Sequence, residues 1–196
     1  MSKTTFSTKI ALFLGLLTIP MYLLVSEPVI GADITWQELE TKYTIIHYQS
    51  MEDLVAFDKK LKYSSLSSAS GLQWLFSGSD SSDDPMERFK AKVDALYRRV
   101  QEILGMRKRM EKVEIKIYRN NRELKEAFQS IYKQEGHYRA WYIFELNTIY
   151  LTLDDLHEGI LAHEMAHSII DHYLTVRPPA RSAEILARYV DAHLHE

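Results

Sequence analysis

With 196 residues, 46% of them hydrophobic, the chain is long enough to bury one sizeable core, and its formal charge of −3 offers no basic excess for nucleic acid. It contains no cysteine, which excludes a disulfide framework and thiolate metal ligands together, so any metal must be held by histidine and carboxylate.

In chain order, Lys3 and Lys9 precede an apolar run from Ile10 to Val25 that is broken only by Gly15, Thr18 and Pro20. Gly31-Ala32 then supplies small residues ahead of the polar start at Asp33. This is the pattern of a secretory signal peptide over residues 1–32, bacterial in style, and it places the single domain of residues 33–196 in the periplasm or cell envelope. An uncleaved anchor is the alternative, because Pro28-Val29-Ile30 is a poor cleavage region, although the run is short for a membrane span. In either case this segment is the only contact with a membrane.

A short helix is expected over Ile34 to Leu39, a strand over Tyr43 to Tyr48, and a helix over Met51 to Leu61. His47, with no partner at metal spacing, reads as a strand residue making an ordinary hydrogen bond. Serines, glycines and aspartates mark residues 64–84 as a flexible loop, within which Leu72-Gln73-Trp74-Leu75-Phe76 is apolar enough to dock, the cleft being one place for it. Pro85 opens a long amphipathic helix whose apolar face is Phe89, Val93, Leu96, Tyr97, Val100, Ile103 and Leu104, and Arg107-Lys108-Arg109 reads as its solvated cationic end. Val113 to Tyr118 is a strand and Asn121 to Lys133 a helix. Ala140 to Phe144 and Thr148 to Leu153 are two further strands around Leu146-Asn147.

The chemistry is concentrated in His163-Glu164-Met165-Ala166-His167. Thr152 with Asp155 makes a capping box ahead of this helix, and Ile160, Leu161, Met165, Ala166, Ile169 and Ile170 suit it to burial. Residues four apart share a helix face, so His163 and His167 present two imidazoles to one point, the beginning of a Zn²⁺ site. Glu164 stands one residue on, within reach of a zinc-bound water, where a general base belongs. A buried helix carrying two histidines and a glutamate is costly unless something pairs them.

The third ligand lies further on. A pattern with a later histidine and an intervening glycine fails, since Ile170 and Tyr173 occupy those positions, and this excludes a metzincin. Asp171 lies one turn along the histidine face and is a candidate supporting group, whereas His172 points away. Arg177-Pro178-Pro179 ends the helix, and a second one starts at Ala180 with Glu184 near its beginning as the third ligand and Ala187 small enough for close packing. Asp191, two turns beyond, is a candidate to orient a ligating histidine. Tyr173 and Tyr189 are open alternatives as oxyanion donors.

With these residues the sequence resembles the gluzincin metallopeptidases of the peptidase MA clan, in which a His-Glu-x-x-His helix is followed by a second helix donating a glutamate. The likeness covers the two C-terminal helices and, more weakly, the strands before them. Ile185 stands where the clan often carries glycine. The resemblance implies His163, His167 and Glu184 as Zn²⁺ ligands and Glu164 as base. It also implies a strand ahead of the helix that borders the cleft and pairs with an extended peptide or unfolded protein substrate. The expected fold is α+β, a mixed β-sheet with packed helices followed by the active-site helix and a short helical C-terminal part, a minimal single-domain form with an open, shallow cleft. The competing reading is a non-catalytic envelope protein that binds a peptide or partner, with a structural or vestigial zinc closed by a fourth protein ligand, for which His193, His195 and Asp171 are the candidates.

Overall fold

The computed structural model describes residues 35–62 and 84–196. The expected signal segment of residues 1–32 and the expected docking pentad Leu72–Phe76 lie outside the described residues. The fold is α+β. Five strands, β1 (Gln37–Glu40), β2 (Thr44–Tyr48), β3 (Val113–Tyr118), β4 (Ala140–Ile143) and β5 (Thr148–Thr152), form one sheet in the order β1-β2-β3-β5-β4. The central strands β2, β3 and β5 run parallel, and β1 and β4 pair antiparallel at the two edges. The helices are α1 (Met51–Lys60), α2 (Pro85–Leu104), α3 (Asn121–Tyr132), α4 (Glu158–Tyr173) and α5 (Ala180–His193).

The centre of the sheet is covered on both faces, as parallel strands require. Register places Ile115 beside Ile149 and Ile117 beside Leu151, and these four share the main core with Ile46, with Leu54 and Phe57 of α1, and with the buried faces of α2, α4 and α5. The intervening residues point the other way. Tyr118 and Tyr150 meet Trp141, Ile143 and the Leu124 and Phe128 of α3 in a second, aromatic cluster, where Trp141 and Tyr150 stack at 5.0 Å. This period-two division is what the β-branched and aromatic runs encode.

Helix ends follow local chemistry. Asp84 caps α2 by accepting from the Met86 N–H at 2.9 Å, Pro85 occupies the first turn, and Gly105 closes the helix in the left-handed conformation at φ 66°. Within α2, Phe89, Val93, Leu96, Tyr97 and Val100 are buried as their spacing requires. None of the described helices is long and apolar enough to cross a membrane.

The N-terminal element differs from expectation. In place of a helix over Ile34 to Leu39, Gln37–Glu40 is a strand in register with β2, Glu38 opposite His47 and Leu39 opposite Ile46. A largely exposed four-residue stretch has too little apolar surface to hold a helix, and the open backbone edge of β2 offers it hydrogen-bond partners instead. His47 is indeed a strand residue, but carboxylates flank it. Nδ1 is 3.5 Å from Glu38, and Nε2 is 3.3 Å from Glu114, outside hydrogen-bonding geometry.

Asn147 joins the sheet to α4. At φ 44° it turns the chain between β4 and β5, accepts from Tyr142 Oη at 3.2 Å and Ser168 Oγ at 3.1 Å, and donates to the Lys112 carbonyl at 3.1 Å. Asn147→Gly keeps the backbone conformation and loses these bonds, whereas Asn147→Ala loses them and adds left-handed strain. Urea unfolding is expected to show both variants destabilised, alanine by about 1 kcal/mol more than glycine.

Candidate metal centre

The histidine-bearing helix α4 begins later than the Thr152–Asp155 capping box would have it. Thr152 is the last residue of β5, paired in register with Tyr118, and its Oγ1 accepts from the Asp154 N–H at 3.3 Å, while Asp155 faces Arg139 at 3.7 Å. The ladder has claimed Thr152, so the cap passes to His157, whose Nδ1 accepts from the Ile160 N–H at 3.3 Å. From Glu158 onward α4 is wrapped in core. Leu161, Ala162, Met165, Ala166, Ile169 and Ile170 have no solvent exposure, and the face they leave carries His163 and His167.

Against that face lies α5, seated through Ala183, Ala187 and Val190. Small side chains bring its backbone close, and this delivers Glu184 to the histidine pair. His163 Nε2 and His167 Nε2 are 3.3 Å apart, and Glu184 Oε2 lies 3.6 Å from each. A tetrahedral ion with bonds of about 2.0–2.2 Å separates its ligand atoms by about 3.3–3.6 Å, so the triangle has the size such an ion requires. These three residues are also the one group among the described residues whose donor atoms are gathered closely enough to hold a metal ion.

Two of the three, His163 and Glu184, are held from behind. Asp191 Oδ2 is 2.9 Å from His163 Nδ1, an arrangement that makes Nδ1 the donor and leaves the Nε2 lone pair directed at the centre. Arg188, one turn beyond Glu184, donates from Nε to Oε1 at 2.7 Å and leaves Oε2 for the histidines. That bond is the first cause of a Glu184 carboxyl held below the usual range, and His163 and His167 draw it the same way. Burial lowers His167 below an ordinary imidazole, and the neighbouring His163 lowers it further. A neutral imidazole and an ionised carboxylate are the forms that ligate a metal.

Glu164 is a different kind of carboxylate. It is 9% exposed, and burial pushes it up to about 7, with His163 drawing it down and Glu184 and Asp191 adding to the rise. It lines, with His163, both cavities that flank the centre. One is about 560 Å³ and is bounded by Tyr142 of edge strand β4, Arg177 and Glu184, and the other is about 790 Å³ toward the start of α4.

The remaining candidates stand outside the three-residue group, with Asp171 bordering the smaller cavity. Asp171 is buried and bonded to Arg177 at 3.0 Å, with Arg177 also over the Phe144 ring. His172 turns away to Tyr142 Oη at 2.8 Å. His193 Nδ1 is held by the Tyr189 carbonyl at 2.8 Å, and His195 is nearest Glu158 at 3.8 Å. Tyr173 and Tyr189 line neither cavity, and the tyrosine that does is Tyr142, whose hydroxyl burial keeps protonated. Of the supporting groups the sequence reading passed over, Arg188 had a visible signal in its i, i+4 spacing from Glu184, whereas Tyr142 enters only through sheet topology. No protein-family model matches the chain, and neither the curated proteins nor the solved structures contain a match.

The Glu164 environment has a measurable consequence in protein stripped of metal by chelator. The folded state keeps this proton to about pH 7, while an unfolded chain releases it near 4.5, so the associated stability is full below the lower value and lost as pH rises through the upper one. Between these limits the parent is expected to lose on the order of 3 kcal/mol relative to Glu164→Gln in urea unfolding. Parallel pH profiles for the two proteins would show that Glu164 is not strained by burial.

Proposed function

We propose that this protein is a zinc-dependent peptidase of gluzincin-like organisation, acting outside the cytoplasm on peptides or unfolded protein. The observation that carries the reading is the three-atom triangle of His163, His167 and Glu184, with a buried carboxylate at Glu164 beside it and no fourth protein ligand among the described residues. Two imidazoles and one carboxylate suit zinc and leave a coordination position open, the arrangement of catalytic rather than structural zinc. When bound there, zinc supplies Lewis-acid polarisation of the scissile carbonyl and lowers the pKa of water.

The protein's own residues do the rest. Glu164, the buried carboxylate beside the centre, takes a proton from the attacking water and returns it to the leaving amine. Asp191 fixes the orientation of His163, and Arg188 keeps Glu184 ionised. Strand β4 is the last in the sheet order, and its residues Ala140 to Tyr142 line the same cavity as the three ligands, so an extended peptide added to its free edge lies across the centre. The binding-protein alternative needs a fourth ligand, and none of Asp171, His193 and His195 joins the His163, His167 and Glu184 group among the described residues.

Hydrolysis of a mixed peptide library, read by mass spectrometry alongside zinc content, tests the roles. Glu164→Gln is expected to retain zinc and lose about 10²–10⁴-fold in rate. Glu184→Ala is expected to lose zinc, while Asp191→Asn should weaken its binding by about 10–100-fold. Parental activity in Glu164→Gln would remove the proposed base, and undiminished zinc binding in Glu184→Ala would remove the proposed ligand.

A further inference from the structure

The two cavities flanking the centre differ in charge. The larger, of about 790 Å³, holds His163 and Glu164 at one end and Lys59, Lys60, Lys62 and Arg139 around the rest of its wall. The lysines come from the last turn of α1 and the residue beyond its cap, Arg139 directly precedes β4, and the first turn of α4 forms another wall. Acidic groups are present too, Glu164 buried at that end with no hydrogen-bond partner among the described residues, and Glu158 and Asp191 each beside a histidine. Asp191 is bonded to His163, and Glu158 is nearest His195.

The cations are less well matched. Arg139 is 3.7 Å from Asp155, and Lys60 Nζ donates only to the neutral Asp154 carbonyl at 3.3 Å. Lys59 and Lys62 have no acidic partner among the described residues. Three ammonium groups are thus left facing a concave site of the size that takes a small ligand or a few peptide residues. The carboxylates sit at the histidine end, so the cation-bearing part of the wall is the part that attracts an anionic ligand.

Direction follows from the strand. An antiparallel partner, the more stable pairing, runs along β4 from Tyr142 toward Ala140, and Ala140 borders both cavities. Residues on the C-terminal side of the scissile bond therefore enter the lysine-lined cavity. We infer that this cavity is a specificity subsite for a carboxylate following the scissile bond, supplied by an Asp or Glu side chain or by the C-terminus of a short peptide. The inference rests on the peptidase reading for its direction, and on the cavity alone for its charge preference.

The test uses zinc-loaded full-length protein in two arms. In the first, Glu164→Gln protein binds short fluorescent peptides that differ only in carrying Glu, Gln or Lys at one position, each with a free or amidated C-terminus. Acidic peptides are expected to bind about tenfold more tightly than neutral ones at low salt, with lysine peptides weakest. A gain confined to the side chain or to the free C-terminus identifies which carboxylate is read. Lys59→Gln/Lys62→Gln should erase the discrimination and Lys59→Arg/Lys62→Arg keep it, while the equal charge change Lys108→Gln/Arg109→Gln, away from the cavity, should leave it intact. In the second arm, cleavage products of the parent place the preferred residue. Equal affinities, a lysine preference, an equal loss in the Lys108/Arg109 control, or acid preferred only before the cut would overturn the inference. Charge discrimination without any hydrolysis would instead overturn the peptidase reading, and leave the cavity's preference standing.

Discussion

The site depends on the seating of α5 against α4. His163 and His167 are neighbours by helix geometry alone, but Glu184 belongs to another helix beyond Arg177-Pro178-Pro179, and only the close approach allowed by Ala183 and Ala187 brings its carboxylate within 3.6 Å of both imidazoles. A bulkier residue at Ala187, which has no solvent exposure, would part the helices and break the triangle without touching a ligand. The sheet enters the same argument as the floor beneath α4, with Ile149 and Leu151 in one core with Met165 and Ile169.

Electrostatics then sets what the centre can do. Two of the three are matched from outside, Glu184 by Arg188 and His163 by Asp191, which leaves Glu184 Oε2 and His163 Nε2 facing His167. Glu164 lacks such a partner and is buried, which is why its proton is held to about pH 7. Surroundings alone set the two carboxylates apart, Glu184 below the usual range and Glu164 above it.

The histidine pair, Glu184 and the core of the sheet were legible in the amino-acid sequence. His163 and His167 are set by a spacing that a helix converts into geometry, and the core strands by β-branched runs at Ile115 to Ile117 and Ile149 to Leu151. Glu184 could be reached because proline ends one helix and opens the next. Other features escaped for a common reason. Strand β1 exists because β2 has an open edge, the start of α4 moved to His157 because the ladder took Thr152, and Tyr142 reaches the cleft because β4 is an edge strand. Each depends on a partner remote in sequence, which local propensity does not record.

Anomalous diffraction at the zinc edge, from crystals of zinc-loaded protein near neutral pH, tests the central claim most directly. The account predicts one strong peak bonded to His163 Nε2, His167 Nε2 and a Glu184 oxygen, with water as the remaining ligand at about 2.0–2.2 Å. A peak closed by a fourth side chain, or one that lacks Glu184, would contradict it.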